Sequence, residues 1–281
     1  MIIDSLTHIL PEDFISNREK FLKKDLTFRC LFSDPKAKIV THSELLKSMS
    51  ESGISKSIIG GFGWTDFDLA KLSNNYNLEI SKKSNGNLIP LCSVNPLWGK
   101  QALDEIRRCF ELGAKGIGEL HPNTQGFSDF DNNLDEIMYF ASSYKMPIIF
   151  HSSEPIGHKY PGKGTMVPEK LIKLIKKYQN NIFIFSHFGG GLPFYSLMPE
   201  IKKLFKNVYF DSAAFPFLYH PNVFKVTSIA SGYEKILFAT DFPITTQYFA
   251  LKKFNEVTLN MNEKKSILAL NADKIYSEVK N

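Results

Sequence analysis

Short apolar runs recur along the chain, and each is followed by a polar or glycine-rich stretch and then by a segment with helical periodicity. Most of the runs are continuously apolar rather than alternating, which is typical of parallel strands covered on both faces. Eight strands are therefore predicted, at residues 1–5, 56–62, 88–94, 114–120, 146–152, 182–188, 208–213 and 235–242.

Amphipathic segments occupy the intervals between the runs. Thr41 or Ser43 is placed to cap the first of them, Pro168 lies in a first helical turn, and Gly53 and Gly113 lie where helices end. Helices are predicted at 41–53, 68–84, 100–113, 133–145, 168–179, 192–205 and 221–231, with a helical tail over about 245–280.

The alternation of strand and helix predicts an α/β fold, a single (β/α)8 TIM barrel that occupies residues 1–281. A doubly wound open sheet is the alternative, but it usually has fewer strands, and no GxGxxG motif follows the first strand. The segment at about 10–40, after the first strand, is long enough to form a lid over the barrel.

Composition and charge narrow the class of function. The net charge of +5 comes from lysines on helix faces, and no basic block interleaved with aromatics is present, so we expect a small-molecule substrate and no nucleic acid. No apolar run reaches membrane-spanning length, and the first residues lack a signal-peptide pattern, so no membrane partner is expected. The three cysteines form no CxxC pair, which favours a reduced, cytoplasmic location.

Polar residues that suit chemistry follow the predicted strands. Because the carboxyl ends of barrel strands meet at one mouth, side chains at these ends converge on a shared site. The residues at these ends are Asp4, His8, Glu119, His121, His151, Glu154, His187, Asp211 and Asp241.

Each of these residues also has a purely structural interpretation. A single strand-end histidine is commonly a hydrogen-bonded structural residue, an aspartate such as Asp211 can cap the next helix, and Glu119 can pair with a lysine. The combination of His8, His151, His187 and Asp241 favours a shared site, because imidazoles and a carboxylate are the ligands of a catalytic zinc ion with an open water position.

In the order of its motifs, the chain resembles the amidohydrolase superfamily. It is most similar to the amidohydrolase-2 branch, which includes aminocarboxymuconate-semialdehyde decarboxylase and related hydrolases. The resemblance covers essentially the whole chain and rests on the motifs "DSLTH" (4–8), "GAKGIGELHPNTQGF" (113–127), "IIFHSSEP" (148–155), "FSHFGGG" (185–191), "FATDFP" (238–243) and "NADKIY" (271–276).

The resemblance implies one divalent metal ion, zinc or alternatively manganese. The family's first-strand pattern is Asp-x-His-x-His, and Leu6 here replaces its first histidine. His8, His151 and Asp241 remain as implied ligands, and Glu119 is a candidate for an additional carboxylate. His187 matches the family's histidine beside the metal.

The function implied is a metal-dependent hydrolase that acts through metal-activated water on a small, cyclic or carboxylated organic substrate. Asp241 and His187 are the predicted catalytic residues, and His121, His187 and Glu154 are predicted to contact the substrate. Two alternatives stay open: a non-oxidative decarboxylase that uses the same site, and a non-catalytic binding barrel whose metal site has lapsed at Leu6. A homodimer is the assembly that the resemblance suggests.

Overall fold

Parallel strands form at each of the predicted apolar runs in the computed structural model, which describes residues 1–128 and 133–280. Their parallel pairing is continuous within two groups, β1–β3 and β4–β8. The bounds are β1 Ile3–His8, β2 Lys56–Gly60, β3 Leu88–Pro90, β4 Ile117–Leu120, β5 Ile148–Phe150, β6 Phe183–Phe185, β7 Val208–Asp211 and β8 Ile236–Leu237.

Two isolated bridges join the groups into a closed ring. Cys92 pairs with Ile117 between β3 and β4, and Thr7 pairs with Phe242 between β1 and the residues that follow β8. A ring of parallel strands with intervening helices is the (β/α)8 barrel that the alternation predicts, so the open-sheet alternative is wrong.

Helices surround the strands where the amphipathic segments predict them, with one exception. Thr41 begins its helix as predicted, with its N–H donated to Glu44 at 2.9 Å, and Gly53 ends it in the left-handed region at φ 70°. The barrel helices are His42–Ser52, Phe67–Lys83, Lys100–Glu111, Asn133–Ser143, Pro168–Lys177, Val223–Ser231, Gln247–Asn255, Met261–Lys265 and Asn271–Ser277, with a π turn at Ser266–Leu270 and short turns at Pro96–Trp98, Pro122–Gln125, Phe215–Leu218 and Tyr233–Lys235.

The exception is the single helix predicted over 192–205, which is wrong. The segment breaks into Leu192–Leu197, Pro199–Lys202 and Lys203–Asn207. Pro199 causes the first break, because proline disfavours helical geometry in the residue before it, and Met198 is extended at φ −85° and ψ 116°.

The segment after β1 forms three short helices, Glu12–Ser16, Arg18–Lys24 and Leu26–Phe32. Their aromatic side chains pack on the loop after β2, with the Phe14 and Trp64 ring centroids 5.4 Å apart. Asp25 fastens the two parts together, because its carboxylate accepts the N–H groups of Phe28, Thr65 and Asp66 at 2.7 to 2.8 Å. That this segment acts as a lid stays a prediction.

Across residues 1–128 and 133–280, no helix has both the length and the apolar character needed to span a membrane.

Asp4 links the first strand to the last. Its buried carboxylate accepts the N–H of Thr240 at 2.9 Å, the hydroxyl of Thr240 at 2.6 Å and the side-chain amide of Gln247 at 2.8 Å. Asp4 therefore contributes to barrel closure, next to the turn that carries Asp241.

Asp4 makes stability depend on pH in a defined direction. Burial raises its pKa to about 6, above the value near 3.8 of an exposed aspartate. Between about pH 4 and pH 6, Asp4 therefore binds a proton in the folded chain that it does not bind in the unfolded chain. The resulting stabilisation of the fold is complete below about pH 4 and is lost as pH rises past 6. In denaturant titrations, the unfolding free energy of wild type minus that of Asp4→Asn should fall by up to about 3 kcal/mol between about pH 4 and 7. A difference that is constant or rises with pH would contradict this assignment.

Candidate metal centre

Five side chains from five different strands meet at the mouth of the barrel. His151 Nδ1 lies 3.2 Å from Glu119 Oε1 and 3.3 Å from His187 Nε2. On the other side, His8 Nε2 lies 3.2 Å from Asp241 Oδ1 and 3.9 Å from Glu119 Oε2. The structure therefore brings together the four predicted ligands, His8, Glu119, His151 and Asp241, and places His187 beside them.

The backbone at two of these positions is strained. His187 and Asp241 have φ values of 56° and 61°, in the left-handed region that side chains other than glycine rarely adopt. Such strain costs about 1–3 kcal/mol per residue and is concentrated at functional sites. Hydrogen bonds hold both turns, because the His187 N–H donates to Asp211 at 3.2 Å and the Asp241 N–H to the Leu6 carbonyl at 3.0 Å.

Backbone carbonyls fix the tautomers of two histidines. His187 Nδ1 lies 2.8 Å from the Ala213 carbonyl, and His8 Nδ1 lies 3.2 Å from the Gly60 carbonyl. A carbonyl only accepts hydrogen bonds, so each Nδ1 carries the proton and each Nε2 presents its lone pair toward the cluster. This is the arrangement that orients metal-binding histidines.

The charges of the cluster depend on one another. Burial alone would raise the pKa of Glu119, but His151, His8 and His187 hold it well below its usual range. Burial works to lower the pKa of His8 and of His187, and the nearby carboxylates of Asp241 and Glu119 outweigh it and raise both. The Glu119 carboxylate is thus stabilised by the three imidazoles that surround it.

The donor set fits a single divalent cation. Glu119, His151 and His187 offer ligand atoms within 4.8 Å of one another, and all three residues are buried. His8 Nε2 is buried without a hydrogen-bond partner among the described residues, which leaves its lone pair for an ion. Imidazole nitrogen and carboxylate oxygen suit zinc, and carboxylates also suit manganese.

Comparison with known families agrees with this site. A family model described as Amidohydrolase matches residues 46–277. This chain belongs to the amidohydrolase family. Among curated proteins, none matches it.

Solved structures share the barrel of this amidohydrolase over nearly its whole length. The 5-carboxyvanillate decarboxylase LigW2 from Novosphingobium aromaticivorans, with manganese and 3-methoxy-4-hydroxy-5-nitrobenzoic acid, has a TM-score of 0.82 at 18% identity, covering 99% of this chain and 97% of its own. LigW from Sphingomonas paucimobilis has a TM-score of 0.79 at 12% identity and 98% coverage of each chain. The 2,6-dihydroxybenzoate decarboxylase from Rhizobium has a TM-score of 0.75 at 14% identity, also with 98% coverage of each. At these identities, the similarity establishes the fold.

Leu6 stands where the resemblance implies a ligand histidine. It is fully buried in an apolar cluster that includes Ile58, Ile149 and Leu237. The Glu119 carboxylate lies between His8 and His151 and can supply the additional oxygen that the sequence analysis assigns to it. A carboxylate is therefore available beside His8 and His151 despite the substitution.

His121 is occupied by other contacts. Its Nε2 donates to the Gly162 carbonyl at 2.8 Å, its Nδ1 accepts the Thr124 N–H at 3.4 Å, and its ring stacks on His151 at 4.2 Å. Burial lowers its pKa to about 4, so the ring is neutral. Substrate binding by His121 stays a prediction, and its bonded nitrogens leave no polar atom for that contact.

Ser153, Tyr160 and Phe62 also belong to this region, and the sequence analysis did not single them out. Ser153 Oγ accepts the Gly164 N–H at 2.8 Å and lies 3.4 Å from His151 Nε2, and the Phe62 ring stacks on His8 at 4.2 Å. Their roles depend on the course of the loops, for which periodicity gives no signal.

Metal content tests the ligand set. Wild-type protein dialysed against Mn²⁺ or Zn²⁺ should retain about one ion per chain, and His151→Ala and Asp241→Asn should retain less than about a tenth of that, because each removes a ligand. The exposed His220 and Asp13 provide matched controls, His220→Ala and Asp13→Asn, which should bind as wild type does. Plasma mass spectrometry gives the ratio, and equal retention in all five proteins would exclude this site.

Proposed function

We propose that this amidohydrolase is a metal-dependent decarboxylase of small organic acids. The observation that carries the proposal is the buried cluster in which His8 and His187 both turn Nε2 toward Glu119, His151 and Asp241. Support comes from the solved structures that share its barrel, which are named as decarboxylases of aromatic acids, one of them with manganese.

His8, Glu119, His151 and Asp241 are the residues that would hold the ion. A divalent cation bound there supplies positive charge that draws electron density from an oxygen of the substrate. Manganese and zinc are both compatible with two imidazoles and two carboxylates.

Decarboxylation requires a proton donor at the carbon that loses the carboxylate. The carbon–carbon bond breaks, CO2 leaves, and the electron pair left on the carbon takes up a proton. His187 is placed for this step, because Ala213 accepts the proton of Nδ1 and a second proton taken up on Nε2 would face the cluster. Asp241 is the other candidate, with its carboxylate 3.2 Å from His8 Nε2.

Hydrolysis is the second candidate function. The specific observation in its favour is the position of Asp241, whose carboxylate lies beside the cluster and would accept a proton from an attacking water molecule. His187 would then stabilise the negative charge that develops on the substrate carbonyl. The binding-barrel alternative is less favoured, because Glu119 offers a carboxylate oxygen beside His8 and His151 despite the replacement at Leu6.

Product analysis separates these functions. Manganese-loaded protein should release CO2 from an aromatic acid such as 2,6-dihydroxybenzoate or 5-carboxyvanillate, and should not cleave phenyl esters, anilides or lactones. His187→Ala should lower kcat by about 10²-fold or more, because it removes the favoured proton donor, and Asp241→Asn should lower it at least as much, because it also removes a metal ligand. His220→Ala should keep wild-type kcat.

Cleavage of an ester, amide or lactone without CO2 release would show that the protein is a hydrolase and not a decarboxylase. An ion-loaded protein that binds these acids and turns over none of the compounds would favour the binding barrel.

A further inference from the structure

A second group of polar side chains lies beside the metal centre, on the loops after β5 and β7. It consists of Glu154, Tyr160 and Tyr219, which we call the tyrosine–glutamate cluster. The Tyr160 hydroxyl donates to Glu154 Oε2 at 3.2 Å. Tyr160 thus engages one oxygen of the carboxylate and leaves the other, Oε1, for a different partner.

One donor and one acceptor in this cluster are unused. Glu154 Oε1 and the Tyr219 hydroxyl are both buried, and neither has a hydrogen-bond partner within residues 1–128 and 133–280. Burial raises the pKa of Tyr219, and the Glu154 charge raises it further, so the phenol keeps its proton and lies near the carboxylate. Leaving buried polar atoms unpaired is destabilising, so each such atom requires an explanation, and a bound ligand group is one.

The cluster adjoins the reacting end of the site. Ser153, next to Glu154, lies 3.4 Å from His151 Nε2, and the Tyr219 ring packs edge-on against Phe188, which follows His187. The loops are tightly apposed, because a Cβ atom at Gly190 would lie 2.2 Å from the Ser153 carbonyl oxygen. The tyrosine–glutamate cluster therefore lies on loops that directly adjoin the metal centre.

We propose that Glu154 and Tyr219 bind a hydroxyl group of the substrate. A hydroxyl donates its proton to Glu154 Oε1 and accepts the Tyr219 proton on its oxygen, so it satisfies both unused atoms. A carboxylate has no proton for Glu154 and is repelled by its charge, and an ammonium group cannot accept from Tyr219. Tyr160 is a positioning residue that holds the second carboxylate oxygen.

The inference rests on the proposed function for its substrate class. With the carboxylate directed to the metal centre and a hydroxyl to Glu154 and Tyr219, the substrate is a hydroxylated organic acid. Specificity of this kind is strong, because an analogue that lacks the hydroxyl leaves a charged buried acceptor unpaired.

Binding of paired probes tests the hydroxyl site independently of turnover. The probes are benzoate and its 2-, 3- and 4-hydroxy derivatives, titrated calorimetrically into manganese-loaded protein. At least one hydroxybenzoate should bind wild type about tenfold tighter than benzoate, since hydrogen bonds to charged groups contribute at this level. Glu154→Met and Tyr219→Phe should each reduce that preference to about twofold or less.

Further variants keep the test interpretable. Glu154→Gln preserves shape and removes charge, so it should lose part of the preference even if Glu154→Met fails to fold. Tyr160→Phe should weaken the preference less than Tyr219→Phe, and Tyr139→Phe, which changes a tyrosine that is 77% exposed, should match wild type.

The outcomes distinguish this inference from the proposed function. A hydroxyl preference that is absent in wild type, or that survives in Glu154→Gln and Tyr219→Phe, overturns the inference even if the protein releases CO2. A preference that is lost in these variants supports the hydroxyl site even if no acid is decarboxylated, and in that case the proposed function alone fails.

Discussion

The balance of buried charge at the barrel mouth is the constraint on which the rest of the structure depends. Three imidazoles and two carboxylates lie together, and all of them except Asp241 are buried; His8 is 2% and His187 3% accessible. An isolated charge in such a place would be strongly destabilising, and only charge of opposite sign makes the arrangement stable. A divalent cation bound among these side chains would provide charge of opposite sign for the two carboxylates.

The barrel strands place the side chains of the metal centre, and hydrogen bonds to the backbone orient them. Parallel strands deliver the side chains to one end, while the carbonyls of Gly60 and Ala213 choose the tautomers of His8 and His187. Strain at His187 and Asp241 is tolerated because the surrounding turns are bonded on both sides. Asp4 bonds Thr240, the residue before Asp241. The same contact therefore stabilises the barrel and holds the turn that carries Asp241.

Apolar periodicity was sufficient to predict the eight strands and the closed barrel, because continuous apolar runs have few other interpretations. The predicted first strand ended too early, at Ser5, because Ser5 and Thr7 are polar and yet fully buried. The Thr7 hydroxyl is satisfied in the interior, since it donates to the Ile58 carbonyl. The four predicted ligands converge as expected, because strand ends locate them. The bonds of His121 and the pairing of Glu154 with Tyr160 depend on loop paths, which local pattern does not determine.

X-ray absorption spectroscopy of the manganese-loaded protein tests the central claim most directly, because it reports the atoms bound to the ion. The account predicts a first shell of nitrogen and oxygen only, with the outer-shell scattering of at least two imidazole rings. A shell of oxygen alone, without imidazole scattering, would show that the ion binds elsewhere and would contradict the assignment of His8, Glu119, His151 and Asp241 as its ligands.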